Sequence, residues 1–213
     1  MCVWRSHCKG SSWLSACTRL GILAILFLLV VPPGKALAEG TQPTSSVESP
    51  RNHVPSVLYI PTPFDVADQM LRMAAVTKDD VVYDLGCGDG RIVIAAAQQY
   101  GCRSVGVDID PLRVEEARKN VQRQGVESLV IIRRQNLYDV DLREATVVTL
   151  YLSTRYNTRL VPQLDEMQPG SRVISHLFGI EGIAPDRTIA VRSKYDRHQH
   201  KLLLWSTPLK QKP

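Results

Sequence analysis

Asp84-Leu85-Gly86-Cys87-Gly88-Asp89-Gly90-Arg91 is the stretch that decides the fold. Before it, Val81, Val82 and Tyr83 form a β-branched and aromatic run; after it, Ile92 to Ala97 are apolar and end in three alanines. The first reads as a buried strand and the second as a helix, so the glycines occupy a strand-to-helix turn. Such a turn needs positive φ and close backbone approach, which glycine supplies without steric cost. Further on, Ser104 to Val107 read as the next strand, ending at Asp108. A glycine turn after one strand and a carboxylate at the tip of the next, about 20 residues later, form an adenosine-ribose site in a doubly wound α/β sheet.

Two kinds of cofactor share that geometry. A dinucleotide fingerprint requires Gly-x-Gly-x-x-Gly with a helix N-terminus facing pyrophosphate. Here Gly86, Gly88 and Gly90 are spaced two apart and a bulky Arg91 follows. Asp84 at the strand end disfavours a pyrophosphate and suits a cationic ligand such as S-adenosylmethionine, which carries ammonium and sulfonium charges. The pattern acidic-x-Gly-x-Gly-x-Gly, matched completely by Asp84 to Gly90, resembles the first motif of the seven-stranded S-adenosylmethionine-dependent methyltransferases. Tyr59 to Pro63, Asp84 to Ile94, Gly106 to Pro111, Ala145 to Leu152 and Arg172 to His176 narrow the resemblance. They are similar to small bacterial relatives of the mitochondrial lysine methyltransferases that modify the membrane-embedded c-subunit of ATP synthase. The likeness runs from about Val57 to Trp205.

Length and composition define three segments. In residues 1–38, Arg5, Lys9 and Arg19 precede an apolar run from Leu20 to Val31, then Pro32, Pro33 and Ala36-Leu37-Ala38. That is the layout of a secretory signal peptide, with cleavage expected after Ala38. Its 12 apolar residues would span roughly 18 Å as a helix, short of a hydrocarbon core of about 30 Å. The expected localisation is therefore exported, periplasmic or membrane-associated. A mitochondrial transit peptide is the alternative, since the stretch has no acidic residue and several serines. Residues 39–55, rich in Ser, Thr, Pro and Gln, read as a disordered linker, and residues 56–213 as one α/β domain.

The net charge of +5 is a property of the first segment. Arg5, Lys9, Arg19 and Lys35 account for four of the 26 basic residues and none of the 21 acidic ones, leaving 22 against 21. Basicity thus gives no support to a nucleic-acid partner. Arg113, Arg118, Lys119 and Arg123 cluster on one helix, but Glu115 four residues before Lys119 marks an ordinary solvated face. Cys87 and Cys102, either side of a helix, are too far apart for a disulfide, and no spacing suggests a metal site. His198 and His200, at an expected hairpin turn and strand, read as surface residues.

Thr62-Pro63-Phe64-Asp65 reads as a capping residue, a proline at the first helical position and an acid three after the cap, predicting a helix to about Ala75. The alternation then predicts strand 81–84, helix 91–100, strand 104–108, helix 111–124, strands 128–133 and 146–151, helix 154–166, strand 171–176 and a hairpin of strands 188–195 and 201–206. The fold class is α/β, a doubly wound, Rossmann-like seven-stranded sheet, mostly parallel with one antiparallel strand from the C-terminal hairpin. Leu177 to Arg187 leave room for a loop or one helical turn, and no inserted substrate domain is present. The substrate is then met by Tyr59 to Thr62 and by the loops after the fourth strand and after Ser175, an open site suited to a protein segment.

The resemblance implies residue roles. Asp108 accepts hydrogen bonds from the ribose hydroxyls, Ile109 and Leu137 sandwich the adenine, and Asn136, where relatives often have Asp, accepts from its amino group. Asp84 faces the methionine ammonium directly or through water; Gly86, Cys87, Gly88 and Gly90 form the turn against the ligand. Asp89 and Arg91 are either a local ion pair or ligand contacts. Tyr151 and Ser153 are the candidates to orient a substrate amine, although Tyr151 reads equally well as core packing, and His176 as a hydrogen-bonded strand-end residue. Amino-directed nucleobase enzymes have Asn or Asp, Pro-Pro and an aromatic where this chain has Leu150-Tyr151-Leu152-Ser153, which counts against nucleic acid as substrate. The implied activity is a protein-lysine N-methyltransferase using S-adenosyl-L-methionine, without metal, on a membrane or envelope protein, with room for peripheral membrane contact. A small-molecule methyltransferase and an exported S-adenosylmethionine-binding module without turnover are the alternatives.

Overall fold

Every strand run read above joins one sheet in the computed structural model, which describes residues 59–211. The expected signal segment and linker lie outside the described residues. The strands are β1 (Val81–Leu85), β2 (Arg103–Asp108), β3 (Val130–Arg134), β4 (Val147–Leu150), β5 (Arg172–His176), β6 (Arg187–Arg192) and β7 (Gln199–Ser206). Their order is β3-β2-β1-β4-β5-β7-β6. The first five pair in parallel, and β7 inserts antiparallel between β5 and β6. Strand order reverses between β1 and β4, so the crevice beyond their C-terminal ends is where an open α/β sheet takes a ligand.

The strands' period of two sorts their side chains onto two faces. Val82, Val147, Ile174 and Leu202 meet Val66, Met70 and Leu71 of α1 (Phe64–Met73) and Ile92 and Ala96 of α2 (Arg91–Tyr100). Val114, Ala117 and Val121 of α3 (Pro111–Gln124) extend that layer over Val130 and Ile132. On the opposite face Val107, Leu150, Val173 and Trp205 pack with Leu160, Leu164, Ile180 and Ile183. Each such fully buried aliphatic side chain contributes about 1.5–3 kcal/mol relative to exposure. At the N-terminal edge of the sheet, Asp80 is buried and receives hydrogen bonds from Thr146 Oγ1 (2.6 Å), Thr77 N (2.7 Å) and Thr77 Oγ1 (3.1 Å), with Arg172 as its ion-pair partner. Burial alone would raise its pKa; the bonds from Thr146, Thr77 and Arg172 outweigh it and hold the carboxyl below its ordinary value.

Three expectations are corrected. Residues 154–166 form two short helices, α4 (Thr154–Arg159) and α5 (Val161–Asp165), because Pro162 has no N–H to continue the ladder. The first hairpin strand stops at Arg192 instead of 195, where Ser193 closes a turn: Tyr195 N donates to its Oγ (3.1 Å), and its own N–H donates to His198 O (3.0 Å). The helix-capping pattern at Thr62 and Asp65 does not form. Pro63 is the N-cap of α1, with no side-chain cap bond, and the helix ends at Met73. Both polar side chains have tertiary partners instead: Thr62 pairs with His176, and Asp65 accepts from Ser193 Oγ (3.0 Å) and Lys194 N (2.6 Å).

Candidate active site

The glycine turn hangs from the end of β2. Gly86 N and Cys87 N both donate to Val107 O, at 2.8 and 2.9 Å, and Gly90 N donates to Cys87 O at 2.9 Å. Gly86, Gly88 and Gly90 all have positive φ. The constraint is tightest at Gly88, with φ +54°, where a Cβ would stand 2.2 Å from the ring of Tyr59. The backbone here is thus bare by necessity, and Tyr59 lies directly on it. Arg113 stacks on that ring 4.8 Å from its centroid.

Two carboxylates from neighbouring strands meet this turn. Asp108, at the tip of β2, accepts from Gly88 N through Oδ2 and from Asp110 N through Oδ1, both at 2.9 Å. A carboxylate has about four acceptor positions, so two backbone bonds leave capacity for ligand hydroxyls. Asp84, near the end of β1, is 4% exposed and accepts one hydrogen bond, from Thr149 Oγ1 at 2.7 Å. Burial pushes its pKa up to about 7; the Thr149 bond opposes this and the charges of Asp108 and Asp89 add to it. A buried carboxylate with no cation beside it among the described residues, backed by bare glycine backbone, fits the head of a positively charged ligand. Asp89 instead pairs with Arg91 at 2.5 Å, so the local ion pair is the role the structure shows for both. Arg91 also donates to Thr62 O (2.9 Å) and stacks over Phe64 (4.5 Å), fastening the turn to the start of α1.

The remaining sequence-derived residues lie at adjacent strand ends. Ile109 follows Asp108 and is 44% exposed, while Leu137 is half-buried in the 3-10 turn after β3 (Leu137–Asp139). Gln135 N donates to Asp108 O (3.0 Å) and draws the two tips together. Asn136 Oδ1 accepts from Tyr138 N (3.1 Å), capping that turn. Cys87 packs its thiol into the layer of α2 and α3 against Gly106, with burial raising its pKa, so only its backbone belongs to the turn. Glu115 pairs with Lys119 (2.6 Å) and Arg113 with Glu116 (2.6 Å), the solvated helix face read from the sequence.

The other half of the crevice is aromatic and imidazole-rich. Tyr151, just past β4, packs tilted against His176 at the end of β5, with ring centroids 4.0 Å apart and planes at 37°, and its ring stacks toward Phe178 at 6.2 Å. Burial, then Asp196, raises the Tyr151 hydroxyl pKa, keeping it protonated at neutral pH. Ser153 is exposed at the N-cap of α4, and its side chain makes no cap bond. Thr62 Oγ1 lies 3.1 Å from His176 Nδ1, His176 Nε2 lies 2.8 Å from His200 Nδ1, and His200 Nε2 lies 3.0 Å from Asp196 Oδ2. His200 is buried, correcting the surface reading; His198 sits in the exposed turn. The alternation Gln199-His200-Lys201-Leu202 carried the missed signal, because Leu202 and His200 share the inward face. Thr149 and Asn157 were also missed; Asn157 Nδ2 holds the Phe178 carbonyl (3.1 Å).

Known proteins resemble this chain. A family model described as the ANTKMT methyltransferase domain matches residues 84–187. A protein-lysine N-methyltransferase of Saccharolobus islandicus is 46% identical over 149 residues, covering 69% of this chain and 92% of that protein. The adenine nucleotide translocase lysine N-methyltransferase of Mus musculus is 32% identical over 164 residues, covering 75% of this chain and 70% of that protein. Among solved structures, an RNA methyltransferase from Salinibacter ruber in complex with S-adenosyl-L-homocysteine is 45% identical with a TM-score of 0.66, covering 72% of this chain and 97% of that one.

Proposed function

We propose that this chain, which belongs to the ANTKMT family of seven-stranded S-adenosylmethionine-dependent methyltransferases, methylates lysine side chains of a protein. S-adenosyl-L-methionine is its methyl donor. The observation that carries the lysine reading is the open acceptor side of the crevice. Among the described residues no inserted domain covers it, the β5-to-β6 connection runs only from Leu177 to Asp186, and Tyr59, Ile60 and Phe178 are 37%, 55% and 39% exposed. A lysine on an extended segment can enter there, its stem lying along aromatic walls.

The donor is held from the β1, β2 and β3 side. Asp108 receives the ribose hydroxyls, Ile109 and Leu137 take the two faces of the adenine, and the Asn136 side chain meets its edge. Asp84 sits opposite the methionine ammonium, and the turn of Gly86, Cys87, Gly88 and Gly90 closes on the ligand with backbone alone. When bound, the donor supplies a methyl group on a positively charged sulfonium, poised for in-line displacement. The chain's part is positioning. Tyr59 and Thr62 border the acceptor's path, and Tyr151, a neutral phenol packed against His176, and Ser153, whose side chain makes no cap bond, orient the amine. A lysine ammonium, ordinarily near pKa 10.4, must lose a proton before attack; a partly dry crevice next to a sulfonium lowers that value.

The acceptor we favour is a membrane or envelope protein. Residues 1–38 have the layout of an export signal, with a mitochondrial transit peptide as the other reading. Among the described residues no helix is long and apolar enough to cross a membrane. The test is to incubate the full chain with methyl-tritiated S-adenosyl-L-methionine and, separately, membrane proteins, soluble proteins and RNA from a strain lacking the gene. Label recovered as methyl-lysine from the membrane fraction supports the proposal. Label in RNA with none in protein overturns it in favour of the activity named for the Salinibacter ruber relative.

A further inference from the structure

The chain Asp196–His200–His176–Thr62 has a direction. Asp196 is an acceptor: hydrogen bonds from His198 N and then His200 hold its carboxyl below the ordinary value, so it is ionised at neutral pH. The proton of the His200 ring facing it must therefore sit on Nε2, which in a singly protonated ring leaves Nδ1 as an acceptor. Across 2.8 Å, His176 Nε2 must then be the donor, and its Nδ1 is left bare. Burial, then the neighbouring His200, pushes the His176 pKa down to about 4, so this ring carries one proton. Thr62 Oγ1, 3.1 Å away, has one way to complete the pattern: its hydrogen points at His176. The Thr62 oxygen is thereby an acceptor toward any further partner.

Thr62, 4% exposed, stands at a junction between the glycine turn and β5. Its carbonyl is held by Arg91 at the end of the glycine turn, its hydroxyl by the last residue of β5, and the Tyr151 ring packs on that same imidazole. We propose that Thr62 Oγ1 is the acceptor that takes an N–H of the substrate amine, and that Asp196, His200 and His176 are positioning residues that fix it in that role. This rests on the lysine reading for the identity of the amine, and extends it by excluding acceptors that present only lone pairs at that point. A chain anchored on a neutral group would let Thr62 rotate and donate; the ionised carboxylate removes that option.

The test separates the chain's polarity from the lysine reading. In the full chain labelled with 15N-histidine at pH 8, above the ordinary imidazole range of about 6.5, both His176 and His200 are expected as Nε2–H tautomers, assigned by their loss in His176→Gln and His200→Gln. Asp196→Ala should convert them to tautomer mixtures. The contact is read with sinefungin, an analogue bearing an amine where the donor carries its sulfonium methyl. Thr62→Val should weaken sinefungin at least fivefold while S-adenosyl-L-homocysteine binds within twofold of wild type, and Thr62→Ser should restore sinefungin. An Nδ1–H tautomer at either ring, or equal sinefungin affinity in wild type and Thr62→Val, overturns the proposal. If both arms hold and no methyl-lysine is found in the labelling experiment, it is the lysine reading that fails.

Discussion

Donor affinity should depend on pH through Asp84. In the free protein this carboxyl is buried with a single hydrogen bond, from Thr149, and a pKa of about 7. The sign follows: a cationic ligand head binds the ionised form, so binding drives the proton off, and affinity is full above pH 7 and lost as the pH falls below it. With a free-protein pKa of about 7, the carboxyl is roughly one-quarter protonated at pH 7.5 and ten-elevenths protonated at pH 6. That predicts about an eightfold loss of affinity between pH 7.5 and pH 6, or about 1.3 kcal/mol. Calorimetric titration with S-adenosyl-L-homocysteine at pH 6.0, 6.5, 7.0 and 7.5 reads it, staying below the range where α-amino groups titrate (about 7.7–8.0). In buffers of different ionisation enthalpy, uptake by the buffer of nearly one proton per site is expected at pH 6. Asp84→Asn should bind more weakly and lose the slope. Its stability should move the other way: between the ordinary carboxyl value of 3.8 and about 7, the native state holds a proton that the unfolded chain has lost, so wild-type stability falls across that window. The ligand-free Asn variant, unable to ionise, should therefore have a higher Tm than wild type at pH 8. A flat affinity profile in wild type, with no buffer dependence at pH 6, would refute the assignment of Asp84 to the cationic end of the donor.

Asp108→Ala should weaken S-adenosyl-L-homocysteine at least tenfold, measured by the same titration, while circular dichroism shows the fold retained; unchanged affinity would remove Asp108 from the site. Gly88→Ala places a Cβ 2.2 Å from Tyr59 at a φ of +54°, so binding should fall more than tenfold. Tyr59→Ala in that background should return part of it, since the ring is half of the clash; no recovery would mean that backbone strain alone decides. Asp80→Ala leaves Arg172 without its partner at the far edge of the sheet. Urea unfolding should show a loss of about 2–3 kcal/mol, below the ~3–5 of a fully buried pair because Arg172 is a quarter exposed, with donor affinity of the folded fraction unchanged.

The geometry of the half proposed to hold the donor was legible because it is local. Asp84, the three glycines and Asp108 are fixed by one strand-turn-helix and the tip of the next strand, and the structure brings them together as the spacing required. The acceptor half depends on contacts across the sheet, and there the local reading erred. Thr62 and Asp65 have the spacing of a helix cap, yet His176 and the turn after β6 compete for them and win, 114 and 128 residues away in sequence. His200 looked like a surface residue beside His198 until β7 was known to insert between β5 and β6, which turns its even-numbered side chains toward α1 and the end of β5. Pro162 was visible in the sequence, but the run around it reads as helical on both sides, and two helices satisfy that pattern as well as one.

The reversal of strand order between β1 and β4 divides the sheet into two parts with separate histories open to them. In the assignment proposed above, donor-facing side chains come from β1, β2 and β3, with Thr149 of β4 bonded to Asp84, whereas acceptor-facing ones come from the segment before α1 and from β4, β5 and β7. The two sides touch where Tyr59 covers Gly88 and Arg91 holds the Thr62 carbonyl, so changes there must be compensated across the seam, while those farther out can trade acceptors with the hold on the methyl donor constant. Relatives 46% and 45% identical to this chain, one named for protein lysine and one for RNA, are what such a partition permits. For anyone redesigning the enzyme, the proposed acceptor segments 151–153, 177–186 and 193–200 are the replaceable part, while residues 59–62, tied to the glycine turn, belong to the fixed engine.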